Sequence, residues 1–320
     1  MSRYVPRHAT LRRRWRPSFL LILTAVLAGV GATVLAYSPA ASWINDYNQS
    51  LVVHQYNESV KKVKPTASEQ IAEARRYNAD LSAGAVLEKN ANVPVGNGKS
   101  GQKTYDYWKL LDTPNGAMSR IQIPSIGVDL PIYHGTSDQA LLKGAGHLQG
   151  TSLPVGGKNT HSVITAHRGL ADSTMFTNLD KVKIGDTFTL TTFGQVITYK
   201  VFDSRVVEPE DTTTLRQEAG KDLVTLVTCT PLGINTHRIL VTGKRILPTP
   251  PKAISDAKSP QGGLPFPWWL VIYCGVLVLV GFYVWWAGRT APGASIRTRE
   301  RSKKPRRSRS GRKRATPDSE

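Results

Sequence analysis

Two runs without a single charged residue, 19–37 and 268–287, limit what this chain can become more than any other feature. They are 19 and 20 residues long, close to the roughly 20 residues a helix needs to cross a bilayer core. Each adjoins a basic tail. Residues 1–18 carry six Arg and no acid, and residues 287–320 carry twelve Lys or Arg against three acids. Lys and Arg resist translocation, so both tails are expected in the cytoplasm and the body between the runs outside it. Trp268-Trp269 and Trp285-Trp286 frame the second run as interfacial aromatic rings do. A buried core helix is the ordinary alternative for each run, and the flanking charge argues against it. For the first run a cleaved signal peptide is a second alternative, given the Arg cluster at 12–16 and the small residues at 36–41.

The tails hold +6 and +9 of a net charge of +19, so the long body between them is nearly balanced. A nucleic-acid-binding domain would place its charge in the folded body. The basic C-terminal tail, behind a membrane span, instead holds topology and attracts anionic lipid. The sequence has two cysteines. Cys274 sits inside the second apolar run, where it reads as a small hydrophobe. Cys229 sits alone in the outside body, with no disulfide partner, and is therefore a candidate reactive group.

Along the chain, 41–82 reads as helix, with Trp43, Ile44, Tyr47, Leu51, Val52 and Tyr56 on one stripe. Pro65 interrupts it, and Thr66 with Glu69 three residues on has the form of a capping box. Residues 83–104, rich in Gly, Asn, Lys and Ser, read as a linker or flap. From 118 to 247 the texture turns to short β-rich runs at 119–123, 128–133, 162–166, 186–192, 196–207, 223–228 and 238–246. Many short strands with little helix suggest a closed barrel or a sandwich. A short helix is expected within 170–181 and another turn at 212–219, and the Pro-rich 248–267 reads as a spacer back to the membrane.

Cys229 closes the run Thr225-Leu226-Val227-Thr228, and Arg238 opens the run Arg238-Ile239-Leu240-Val241. The loop between them is too short for a parallel crossover, so the two strands are expected to be antiparallel neighbours. That sets Cys229 beside Arg238 at one rim of the sheet. A guanidinium there favours the thiolate and offers forked donors to a carbonyl oxygen gaining charge. A departing amine also needs a proton donor titrating near neutrality, usually His. His8 and His54 are badly placed for this, and His237, next to Arg238, points to the opposite face. His167 ends the apolar run Val163-Ile164-Thr165-Ala166, but His134, His147 and His161 also lie at or near strand ends. The residues alone leave the choice among these four open.

The stretches RIQIPSIGVDLPIYHGT, GAGHLQGTSLPVGG, HSVITAHRGL and TLVTCTPLGINTHRILVTG resemble a sortase, and closely the pilus-assembling group called class C. The likeness covers 120–246, about two-fifths of the chain. It implies a mainly β fold: a closed sortase-type barrel with short helices, preceded by a helical extension and flanked by two transmembrane helices. The organisation it suggests is a cytoplasmic tail (1–18), a span or signal anchor (19–37), a helical extension with a possible lid (38–117), the barrel (118–247), a spacer (248–267), a second span (268–287) and a disordered cytoplasmic tail (288–320). It further implies Cys229 as nucleophile, His167 as acid–base residue and Arg238 as partner of the substrate carbonyl or oxyanion, with no cofactor and no metal. The substrates implied are surface proteins or pilins with an LPxTG-like signal, and the acceptor is a pilin lysine or the amine of a lipid-linked cell-wall precursor.

Class C relatives often carry an Asp-Pro-aromatic lid motif, and no Asp-Pro occurs here. Asp106-Tyr107-Trp108 comes nearest, so Tyr107 or Trp108 is the expected aromatic plug of a loosely covered Cys229 cleft. Two other readings stand beside this one. A non-catalytic adhesion or wall-binding ectodomain would not explain Cys, Arg and His at strand ends. An L,D-transpeptidase would show a Ser-His-Gly-Cys arrangement that is missing, and Asn235 in a papain-like set would need Cys before His in the chain.

Overall fold

The computed structural model describes residues 15, 17–81, 105–211, 213–258 and 266–289. The expectations for nearly all of both basic tails, for the whole of the flap at 83–104 and for part of the spacer fall outside these. The described residues divide into two units, one formed by the chain up to Leu27 together with the chain from Val278, the other by Ala28–Leu277.

The first apolar run and the extension after it are one helix, α1 (Phe19–Val60). Pro39 lies inside it: a prolyl residue removes one N–H donor and costs about 3 kcal/mol, which does not end a helix of 42 residues. At 1.5 Å per residue α1 is about 60 Å long, twice the ~30 Å of a bilayer core. Its far end is fastened by Tyr56, whose hydroxyl donates to the Met118 carbonyl (3.0 Å) and accepts from the Phe193 amide (2.9 Å). α2 (Ala67–Asp80) begins at the capping box, with Thr66 and Glu69 bonding each other's backbone. The Asn78 side chain then clamps both backbone groups of Leu153 at 3.0 and 2.7 Å.

Eight strands follow: β1 (Ala117–Ile123), β2 (Val128–His134), then the short helix α3 (Asp138–Leu141), β3 (Ala145–His147), β4 (Thr160–Thr165), β5 (Thr187–Thr192), β6 (Gln195–Val207), β7 (Asp222–Thr230) and β8 (His237–Arg245). They close into a barrel in the order β1-β2-β3-β4-β7-β8-β6-β5. Only β2–β3 and β4–β7 are parallel. Successive side chains of a strand point to opposite faces. On β7, Val224 and Leu226 therefore face the main core with Ile121, Phe188 and Tyr199, while Val227 faces a second, smaller cluster on the outer face.

Two expected elements differ. The helix expected within 170–181 is a single 3-10 turn at Leu179–Lys181, preceded by an irregular loop. The spacer contains a helix, α4 (Pro251–Ala257), that docks on the barrel: Arg120 Nη1 donates to the Ala257 carbonyl at 2.6 Å, and the same guanidinium makes two 2.6 Å bonds to Asp129. The chain ends its described part with α5 (Trp268–Ala287). α1 and α5 are the two described helices long and apolar enough to cross a membrane, and their apolar stretches are almost wholly unburied.

Candidate active site

β7 and β8 pair antiparallel with Cys229 directly opposite Arg238. Directly opposed residues share a face, so the thiol and the guanidinium project to the same side, the outer one occupied by Val227 and Leu240. On the other flank β4 runs parallel to β7 with Thr165 opposite Val227. The register continues past the end of β4: the Ala166 amide donates to the Val227 carbonyl at 3.2 Å, and Thr228 Oγ1 donates to the Ala166 carbonyl at 2.8 Å. Two residues beyond Thr165 on one strand and two beyond Val227 on the other are His167 and Cys229. Cys229 and Arg238 thus form one rung on one face, at one rim, and His167 lies just past the end of the adjacent β4, where that register leads.

The other histidines are spent elsewhere. His134 Nε2 donates to the Leu110 carbonyl at 2.6 Å. His147, fully buried, donates from Nε2 to the Ser152 carbonyl at 2.9 Å and receives the Tyr107 hydroxyl at Nδ1 (3.0 Å). His161 bonds the Arg216 carbonyl at 2.9 Å through Nδ1 and Thr225 Oγ1 at 2.7 Å through Nε2. No hydrogen bond among the described residues reaches the ring of His167, which is half-buried. Among the described residues, then, three of the four strand-end histidines have bonded ring nitrogens and His167 has none.

Burial holds the His167 imidazole below its ordinary pKa, opposed by the carboxylates of Asp138 and Asp172. Burial also pushes the Cys229 thiol up, opposed by the Arg238 guanidinium. Near neutral pH the pair therefore rests mostly as thiol and neutral imidazole, and one proton transfer makes the thiolate and imidazolium. Arg238 is 2% exposed, with Nη1 held by the carbonyls of Asn235 (2.8 Å) and His237 (3.0 Å). Asn235 acts through its carbonyl in the β7–β8 loop and does not serve His167. Sequence reading missed the outer apolar cluster of Leu148, Val163, Val207, Leu215, Val227 and Leu240, which continues the face carrying the reactive rung. Its signal is the alternation along β4, β7 and β8, uninformative until the strands are paired.

A model of the sortase domain matches residues 121–246, a range that holds all eight strands except the first few residues of β1. Sortase C-1 of Actinomyces oris, a solved structure, is 48% identical with a TM-score of 0.52, the match covering 57% of this chain and 99% of that one. The chain belongs to the sortase family. Sortase C of Streptococcus pneumoniae is 41% identical with a TM-score of 0.55, over 62% of this chain and 98% of that one. Sortase D of Bacillus subtilis is 30% identical over 129 residues, 39% of this chain and 62% of the relative's length. Sortases are cysteine transpeptidases, and the solved neighbours of this one include pilus sortases of class C. Its eight-stranded closed barrel lies between two candidate membrane spans.

The described part of the lid region is packed, not loose. Tyr107 is buried, its ring 5.2 Å from that of His134 and 5.8 Å from that of His147, and its hydroxyl accepts from the Gly135 amide at 2.9 Å. Trp108 lies exposed over Gly135, where a Cβ would stand 2.9 Å from the indole. Both aromatic residues thus cover the ends of β2 and β3, and residues 82–104 before them lie outside the described residues.

Proposed function

We propose that this sortase cleaves an LPxTG-like sorting signal through Cys229 and passes the acyl group to an amine. Cys229 Sγ attacks the Thr carbonyl carbon, and Arg238 donates to the carbonyl oxygen as it gains charge. The C–N bond to Gly breaks as His167 gives its proton to the leaving amine, leaving a thioester on Cys229. An incoming amine attacks that thioester, gives a proton back to His167 and expels the thiolate. A thioester keeps the acyl group reactive towards amines, so the energy of the cleaved amide is conserved in the new one.

The observation carrying this reading is Cys229 opposite Arg238 on β7 and β8, with His167 just past the end of the adjacent β4. The acceptor we favour is a lysine on a pilin subunit, supported by the class C neighbours, with a cell-wall precursor amine as the alternative. The basic tails support a cytoplasmic location for both ends and an outside location for the barrel. Single-cysteine reporters at residues 8 and 310 should be protected in intact cells while one at residue 100 reacts.

The test of the chemistry is direct. The full chain in detergent, incubated with a Leu-Pro-x-Thr-Gly peptide, should gain the acyl mass on Cys229 and release the Gly fragment. Cys229→Ala should give neither. An acyl adduct on another residue, or transpeptidation by the Ala variant, overturns the assignment.

A further inference from the structure

Among the described residues His167 has no hydrogen-bonded partner of the kind that normally fixes an imidazole's orientation, so its position is set there through its backbone. The loop after it is closed on itself: the Phe176 amide donates to the His167 carbonyl at 3.1 Å, and the Gly169 amide to Thr177 Oγ1 at 3.0 Å. What fastens this loop to the Cys229 strand is the next residue, Arg168. Its guanidinium is nearly buried and donates Nη1 to Thr230 Oγ1 at 2.8 Å, Nε to the Thr177 carbonyl at 3.2 Å and Nη2 to Asp180 at 3.0 Å. Arg168 follows His167 and Thr230 follows Cys229. The Arg168–Thr230 bond therefore joins the neighbour of the acid–base residue to the neighbour of the nucleophile.

Alternation along the strands places Thr230 on the side opposite Cys229. The link lies behind the reactive rung, out of the way of a substrate on the outer face. Gly169 takes φ +74°, a backbone conformation that side-chain-bearing residues rarely adopt, so glycine suits the turn that follows Arg168.

We propose that Arg168, bonded to Thr230, is a positioning residue that holds His167 in register with Cys229. The proposal rests on the catalytic reading of that pair. Displacement of a reacting group by about 1 Å costs on the order of 10²-fold in rate, so a brace across the pair governs turnover and not merely stability.

The full chain in detergent tests it through Thr230→Val, which keeps shape and removes the acceptor. We expect kcat for Leu-Pro-x-Thr-Gly cleavage to fall about 10- to 100-fold, with KM and Tm little changed. The pH profile of Cys229 alkylation by iodoacetamide should move towards that of His167→Ala. Thr230→Ser should restore most of kcat. Arg168→Gln combined with Thr230→Val should fall no further than the worse single variant, because both remove one bond. A Thr230→Val enzyme with unchanged kcat and alkylation profile, or losses that multiply in the double variant, overturns the proposal. If His167→Ala itself keeps full rate and the parent profile, the catalytic reading has failed. If His167→Ala is inactive while Thr230→Val is normal, only the positioning role has failed.

Discussion

His147 and His167 both stand at the edge of the β3–β4 region, and they live in opposite chemical conditions. His147 is fully buried with both ring nitrogens bonded, and burial holds its pKa down to about 4. His167 is half-buried with neither nitrogen bonded among the described residues. A histidine whose lone pair and proton are already committed can only support structure. One whose nitrogens are open can move a proton. Bond saturation, more than burial or position on a strand, separates the two.

The sharpest way to break this contrast is to exchange the consequences. His167→Ala should lower transpeptidation by about 10²- to 10⁴-fold, with Tm nearly unchanged, measured on the same preparation by peptide turnover and thermal melting. His147→Ala should do the reverse, giving a destabilised enzyme whose folded fraction retains its rate. If His147→Ala abolishes turnover in folded protein, the division fails.

Acid sharpens it further. His147 binds its proton in the unfolded chain near 6.5 but in the fold only near 4. Its neutral form therefore costs nothing above pH 6.5, and the fold loses stability as pH falls from 6.5 to 4, by about 3 kcal/mol. Denaturant unfolding across that window should show the loss, and His147→Gln should flatten it. Activity should follow a separate bell. The reactive proton count exists between the lowered His167 pKa and the raised Cys229 pKa, so turnover should rise with pH through a limb below 6.5 and fall through one above 9.0. These limbs belong to the pair and should persist in His147→Gln.

Smaller effects probe the partners of each histidine. Arg238→Lys keeps the charge but loses the fork and should slow acylation about 10- to 100-fold in single-turnover measurements. Near-normal acylation would demote Arg238 to a holder of the β7–β8 loop. Tyr107→Phe removes the hydroxyl shared by His147 and Gly135 and should cost about 1 kcal/mol. It should leave the alkylation rate of Cys229 unchanged, whereas faster alkylation would restore Tyr107 as a plug of the cleft.

Much of this was legible in the residues. Cys229 and Arg238 are joined by a short loop, and local spacing is enough to make them neighbours. β3 was not legible, because three residues containing Gly show no periodicity. Gly146 is required there by close approach, since a Cβ would stand 2.3 Å from the Gly135 carbonyl oxygen. α4 was hidden by Pro250 and Pro251, read as breakers; at a helix start proline loses no intrahelical bond. The pairing of His167 with Cys229 could not be derived from spacing, because it depends on β4 lying beside β7 across more than fifty intervening residues.

That parallel neighbour has a kinetic meaning. A β4–β7 pair cannot form by zipping from a turn, because β5 and β6 lie between its strands in the chain, and such long-range pairings form slowly. The strand carrying Cys229 therefore finds its β4 neighbour only through a long-range closure. Assembly of the candidate site thus waits on a kind of contact that forms slowly.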